Sequence, residues 1–396
     1  MPGRYRRIEE RGTAHSPWCR CHSLGPVTTI YDLAVVGAGP AGRSLAHRAL
    51  AAGLRVAVVD PEPDAAWSAT YGVYTADLPD WFDDGAVAAR AESITVFTPT
   101  ERVIPHGYAI MNAPAFQRTL GLDGADVRAC LAVAVSATTV TCSDGRQVQA
   151  GHVVDARGTR AGDHRRRPRQ TAAGAFEPSD DVSTVLMDWR RTSNASPGDA
   201  RSFSYRVALG DGRRLVEETC LAGAPPIDVD ELAERNRART GRTSPGEGLD
   251  EVVDFPLLVD TTPWRRVDDG PVMFGAAGGL MNPATGYSVG QSLLAADVVV
   301  GAIVAGHDPH EALWPRRARL AYRLRVRGLA VLLSLDSDEV VTFFDAFFRV
   351  HPSLQRRYLS GHSDASGVLR AMAAVFARLP IRLRARVMVL ASRSAW

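Results

Sequence analysis

The sequence predicts an α/β protein in which a Rossmann-type nucleotide-binding unit is interleaved with a β-sheet domain and followed by a helical C-terminal region. Three observations carry this prediction. Residues 31–36 read as a short buried strand that runs into Gly37-Ala38-Gly39-Pro40-Ala41-Gly42 and then into a helix. Period-two and β-branched stretches fill the middle of the chain, and apolar residues recur at helical spacing beyond Leu324.

Small residues and good helix formers occupy positions 40–52, Gly53 supplies a stop, and 56–59 is a second apolar strand, which completes a strand-helix-strand unit. Stretches at 94–97 and 138–142, the latter followed by an Asp144-Gly145 turn, and Val153-Val154 before Asp155 are expected to complete this first sheet. The basic run 165–169, broken by Pro168, reads as an exposed linker loop. Beyond it, 184–187, 203–208 and 214–216 read as strands of a second sheet, with Gly210-Asp211-Gly212 as a hairpin turn. Residues 227–240 read as a charged surface helix and 243–248 as a loop. The expected organisation is a flexible leader over 1–29, a nucleotide-binding domain over 30–170 and a substrate-binding β domain over 171–270. A return segment to the nucleotide domain follows over 271–310, and a helical region over 311–396.

With 45% hydrophobic and 23% charged residues, the 396-residue chain falls among globular proteins. Its formal net charge of +2 is too mild to imply a nucleic-acid partner, and none is expected. All 46 basic residues are arginine, so no lysine is present to serve as Schiff base, nucleophile or phosphate ligand. Five irregularly spaced cysteines argue against a disulfide framework and for a reducing interior. Cys19-Arg20-Cys21-His22 lacks a second ligand pair and reads as loose leader, so no metal site is expected. The leader has no signal-peptide apolar run and no later stretch suits a bilayer span, which points to a cytoplasmic protein. Val368, Leu369, Met372, Val375, Phe376 and Leu379, ended by Pro380 and flanked by arginines, form an apolar helix face with two readings. It packs on the core, or it lies on a membrane surface as a peripheral anchor at the inner face of the cell membrane.

The glycine motif carries the first chemistry. Gly37 permits the tight turn, Gly39 lets backbone approach a pyrophosphate, and Gly42 lets helix and strand pack closely, with Ala38, Pro40 and Ala41 completing the loop. Asp60, 18 residues past Gly42, is placed to accept from a ribose hydroxyl. A second strand-turn-helix start spans 272–288 and includes Gly275, Gly286 and Tyr287. Its backbone amides could face a flavin pyrimidine and stabilise negative charge, which favours FAD over NAD. Glu217 and Glu218 end an apolar strand, where neighbouring side chains point to opposite faces, so at most one enters a given pocket. Such pairs are most often solvated, but a carboxyl in an apolar pocket has its pKa raised and can act as an acid near neutral pH.

Taken in order, the motifs of the chain resemble the plant-type lycopene β-cyclases, with this chain a bacterial member. The segments are the glycine fingerprint, Tyr71-Gly72-Val73, Met187-Asp188-Trp189-Arg190, Glu217-Glu218-Thr219, Pro283-Ala284-Thr285-Gly286-Tyr287 and Phe343-Phe344-Asp345-Ala346-Phe347-Phe348. The resemblance implies a hydroxylase/reductase-like flavoprotein fold and an isomerisation without net redox change. It also implies FAD active in its reduced form, NADPH as reductant, a lipophilic carotenoid substrate and the neighbourhood of other carotenoid enzymes. Protonation of lycopene by a carboxylic acid, or by the flavin, would start a carbocation ring closure to β-rings, with Glu217 and Glu218 the leading candidates and Asp188 a third. Departures from the family pattern are Met111-Asn112-Ala113, where the family often places an arginine, Asn282 for a histidine, and Val216 for a leucine. The rival expectations are an FAD-dependent monooxygenase or an isoprenoid reductase on a lipophilic substrate, and a non-catalytic carotenoid carrier; the halogenases of this fold need a lysine that the chain lacks.

Overall fold

A computed structural model describes residues 30–159, 167–190, 201–241 and 249–392. Its first sheet has seven strands, in the order Asp126–Ala129, Val56–Asp60, Ile30–Val36, Gln147–Asp155, Thr139–Cys142, Ala132–Val135, with Val272–Met273 beside Gln147–Asp155. The central strands pair in parallel and Leu33, Ala34, Val35 and Val36 are all buried, as expected of a sheet covered on both faces. One face packs Leu33, Val35, Val56 and Val58 against the helices Pro40–Ala51 and Val289–Val304. The chain returns to this sheet after an excursion of more than a hundred residues, where Val272 pairs with Val154 and Met273 with Asp155.

The second sheet runs Glu251–Pro256, Arg169–Pro178, Arg213–Gly223, Phe203–Ala208, Val185–Asp188, Ile94–Phe97, Glu101–Ile104. Ile94–Phe97, expected in the first sheet, belongs here: its partners are Val185–Asp188 and Glu101–Ile104. Strand character was readable from its alternation, but partner choice is set by distant residues. A small sheet of Gly72–Tyr74, Tyr108–Met111 and Val87–Ala91 is built from strands that fall between Val56–Asp60 and Asp126–Ala129 of the first sheet in sequence. The helix Val229–Thr240 is capped by Asp228 and closed by Gly241, and it buries Leu232 and Ala233 against Ala173 and Cys220.

The helical region comprises Arg316–Ser334, Ser337–Phe348, Pro352–Leu359, Ala365–Arg378 and Ile381–Ser392. A capping box of Asp336 and Glu339 starts the phenylalanine-rich helix, and Trp189 stacks on Phe344 at 5.3 Å between ring centroids, fastening the helices to the second sheet. Val368, Ala371 and Val375 are buried while Leu369 is exposed, so the apolar stripe is narrower than the sequence suggests.

Two further expectations are corrected. Cys130 and Cys142 are joined in a disulfide, because the strand pairing brings their Cα atoms to 5.8 Å, within bridging reach. Arg169, assigned to an exposed linker, is a buried strand residue whose guanidinium donates to Asp254 at 2.5 Å. Arg165, Arg166, the 243–248 loop and the Cys19-Arg20-Cys21-His22 cluster lie outside the described residues.

Candidate active site

The fingerprint turn has the shape an anion requires. A side chain at Gly37, whose φ is +105°, would strike the Ala156 carbonyl at 2.9 Å, and one at Gly42 would lie 1.9 Å from the Gly37 oxygen. At Gly39 a Cβ would meet nothing within 4 Å, so the turn presents open space directly before the helix that starts at Pro40. No side chain caps that helix N-terminus, leaving its amides to an incoming acceptor. Asp60 accepts from Ala38 N and Glu62 N, both at 2.8 Å, which locks the second strand end onto the turn. Gly275 of the return segment lies against Ala41, where a Cβ would come within 2.8 Å of the alanine side chain. Gly37 through Gly42, Asp60 and Gly275 are therefore brought together, and the residues present fit the pyrophosphate and ribose of a dinucleotide.

Beside the turn opens a cavity of about 590 Å³, inside the usual range of roughly 300–1,000 Å³ for small-molecule sites. Gly158, Thr159 and Ala276 wall its nucleotide end. The second sheet supplies Leu186, Met187, Phe203, Leu215 and Glu217, and Phe343, Phe344, Phe347 and Phe348 of one helix complete an apolar lining. Gly286 and Tyr287, expected at the cofactor, stand in this wall: Gly286 is packed against Gln170 and Phe255 at φ +78°. Asn282 holds the turn in place, donating to the carbonyls of Tyr358 and Leu359 and accepting from Ala284 N.

Four tyrosines from separate segments meet in the wall. The Tyr108 hydroxyl is 3.2 Å from that of Tyr205 and 3.3 Å from that of Tyr287, and the Tyr74 ring lies 5.3 Å from Tyr108 and 5.2 Å from Tyr287. Gly72 makes the room, since a Cβ there would fall 2.2 Å from the Tyr108 hydroxyl. Burial raises all four phenols well above the ordinary tyrosine value, so they are neutral donors and π faces at physiological pH.

Glu217 and Glu218 part company at the strand Arg213–Gly223. Glu217 points into the cavity, where burial, opposed by a 2.5 Å hydrogen bond from Thr219 Oγ1 and helped by the charges of Glu251 and Glu218, raises its pKa to about 7. Glu218 is on the other face, buried, and accepts from Arg239 Nε at 2.8 Å and Ser202 Oγ at 2.6 Å. Asp188 is also outside the cavity lining. Burial pushes its carboxyl up, but hydrogen bonds from Arg190 and the charge of Arg206 outweigh this and hold it below the ordinary value. The structure thus brings Glu217 to the cavity and ties Glu218 and Asp188 to arginines.

Sequence reasoning missed Glu251. It lines the same cavity, 8% exposed, with Oε1 accepting from Thr70 N at 2.8 Å. It faces Glu217 across a glycine: Gly174 pairs with Glu217 on one side and Glu251 on the other. Only the register of three strands makes this neighbourhood, so no local motif announces it.

Two interleaved sheets, a dinucleotide turn and an adjoining apolar cavity define a reductase/hydroxylase-like flavoprotein fold. Its structural neighbours include a geranylgeranyl bacteriochlorophyll reductase-like protein from Thermoplasma acidophilum, with a TM-score of 0.60 at 17% identity over 92% of this chain and all of that one. The flavin-dependent brominase Bmp2 aligns with a TM-score of 0.58 at 15% identity, over 88% of this chain and all of its own. The family model described as lycopene cyclase protein matches residues 32–385, and the chain belongs to that family. An uncharacterized carotenoid cyclase of Deinococcus radiodurans is 31% identical, covering 89% of this chain and 92% of the relative. The chloroplastic lycopene beta cyclase of Solanum lycopersicum is 29% identical, covering 84% and 74%.

Proposed function

We propose that the chain is an FAD-dependent lycopene β-cyclase that closes the linear end groups of lycopene into β-rings. One observation carries the reading: an apolar, aromatic-walled cavity holds the carboxyl of Glu217, whose pKa near 7 keeps a large share of it protonated at neutral pH. Its O–H is the acid that protonates the terminal double bond. The resulting cation is attacked by the neighbouring double bond of the chain, the ring closes, and loss of a ring proton leaves an isomer of the substrate. The phenylalanines and tyrosines of the wall exclude the water that would capture the cation and turn π faces toward it.

The turn Gly37, Gly39, Gly42 and the helix start at Pro40 would hold the pyrophosphate of FAD, with Asp60 at a ribose hydroxyl. FAD bound there and kept reduced by NADPH would supply negative charge to the cavity, whose end beside the turn is walled by Gly158, Thr159 and Ala276. Among the described residues no helix is long and apolar enough to cross a membrane. Ile381, 80% exposed, and Met388, 62% exposed, share the last helix with Arg382, Arg384 and Arg386, which supports peripheral attachment at the cytoplasmic face of the membrane that carries the substrate.

Expression in a host that accumulates lycopene tests the reading. Pigment of unchanged mass with a shifted spectrum supports cyclisation; a gain of oxygen would indicate a hydroxylase, a gain of hydrogen a reductase, and unaltered lycopene would contradict the proposal.

A further inference from the structure

Glu251 is a buried carboxyl that neither the fold nor the acid role of Glu217 accounts for. Thr70 N engages one oxygen, whereas Oε2 is buried without a hydrogen-bond partner among the described residues. An unpartnered buried carboxyl oxygen is costly to keep, on the order of 1–3 kcal/mol or more, and such groups concentrate where they meet a ligand. Its position is specific. Residues paired across an antiparallel ladder project to the same face, so Glu217, Gly174 and Glu251 form one row along the cavity wall. Two strand spacings separate the carboxylate-bearing Cα atoms, roughly 10 Å. Gly174 contributes no side chain to the middle of the row, and a Cβ there would press on Leu215 at 2.7 Å and on Glu217 at 3.4 Å. The wall therefore offers two carboxyls with a gap between them, and their environments differ: Glu217 is hydrogen-bonded by Thr219, whereas Glu251 keeps an open oxygen.

We propose that Glu251 is the base of the reaction, removing a proton from the new ring in exchange for the one that Glu217 donates to the terminal double bond. The inference rests on the cyclase reading above. The balance is one proton in and one out. Glu217 loses its O–H proton to the terminal carbon–carbon double bond, a carbon–carbon bond closes the ring, and the positive charge moves to a ring carbon. Glu251 Oε2 then takes a proton from the carbon next to that centre, and the released C–H electron pair becomes the ring double bond. Glu217 ends ionised and Glu251 protonated, with no electron gained or lost, and proton exchange restores the starting pair.

The purified chain, loaded with FAD and supplied with reductant, is incubated with lycopene in D2O, in parallel with Glu217→Gln and Glu251→Gln. The unaltered chain should give cyclic pigment with one deuterium per ring. Glu251→Gln should slow ring formation roughly a hundredfold or more. The linear pigment recovered from it should contain deuterium, because protonation continues and reverses when the base is missing. Glu217→Gln should give neither rings nor deuterium in the recovered pigment. Glutamine retains an acceptor for Thr70 N, and flavin absorbance reports the fold of each variant. If glutamine disturbs it, Glu251→Asp, with its carboxylate drawn back by one methylene, should show the same contrast in weaker form. Ring formation by Glu251→Gln at the unaltered rate, or its loss with no deuterium in the recovered pigment, would overturn the base assignment alone. Linear pigment from the unaltered chain would overturn the cyclase reading and this inference with it.

Discussion

The two faces of the strand Arg213–Gly223 hold adjacent glutamates in opposite chemical settings. On the cavity face Glu217 has one hydroxyl partner, Thr219, and no arginine, and burial lifts its pKa to about 7. On the outer face Glu218 is at least as buried, yet Arg239 and Ser202 hold both of its oxygens. Burial alone does not make an acid. What separates the two is the partner each face supplies: a cation satisfies a buried carboxylate, whereas an apolar cavity favours the protonated form. The helix Val229–Thr240 provides that cation, so its packing on the sheet fixes which of the neighbouring carboxyls is paired with an arginine.

Four experiments would break or sharpen this comparison. Glu217→Gln removes the proton while retaining shape, and it should lower cyclisation by about two to four orders of magnitude with little change in melting temperature, measured by pigment analysis and thermal unfolding. Glu218→Ala should act on the other property. It strands Arg239 and Ser202, so unfolding in denaturant should show a loss of about 4 kcal/mol, while turnover per folded molecule stays near that of the parent.

The third experiment varies pH. The folded-state pKa of Glu217, about 7, lies above its ordinary 4.5, so the folded state binds the extra proton. Its contribution to stability is present in full below pH 4.5 and is lost as pH rises through 7, in total about 3 kcal/mol. Denaturation of the parent and Glu217→Gln across this window should differ by this slope, and cyclisation should fall above pH 7 with it. The smallest effect is expected at Asn282→Ala, which releases the turn bearing Tyr287 from the Tyr358 and Leu359 carbonyls. A loss of about 2 kcal/mol should appear in the melting curve, with a modest rise in KM as the tyrosine wall loosens.

Features confined to a short stretch were legible in the sequence. The glycine turn, the strand before it and the acid eighteen residues on are a local pattern, and the alternation of side chains along a strand announced that Glu217 and Glu218 must diverge. Which of them faces the cavity was not legible, because it depends on where the helices over Phe343–Phe348 and Val229–Thr240 settle. Glu251 was invisible for the same reason: its nearness to Glu217 exists only through Gly174 and the register of three strands. The tyrosine cluster draws one residue from each of four segments, and Ile94–Phe97 reads as a strand without revealing its sheet. Arg169 and the Cys130–Cys142 link repeat the lesson, since a partner far along the chain, or across a hairpin, decides whether a polar or reactive residue is surface or structure.

The central claim is that Glu217 is a protonated carboxyl near neutral pH. Difference infrared spectroscopy of the parent against Glu217→Gln tests it directly. The account predicts a protonated-carboxyl C=O band at pH 6 that is missing from the variant and titrates away with a midpoint near 7. A carboxylate signal at pH 6, with a midpoint near the ordinary 4.5, would contradict it.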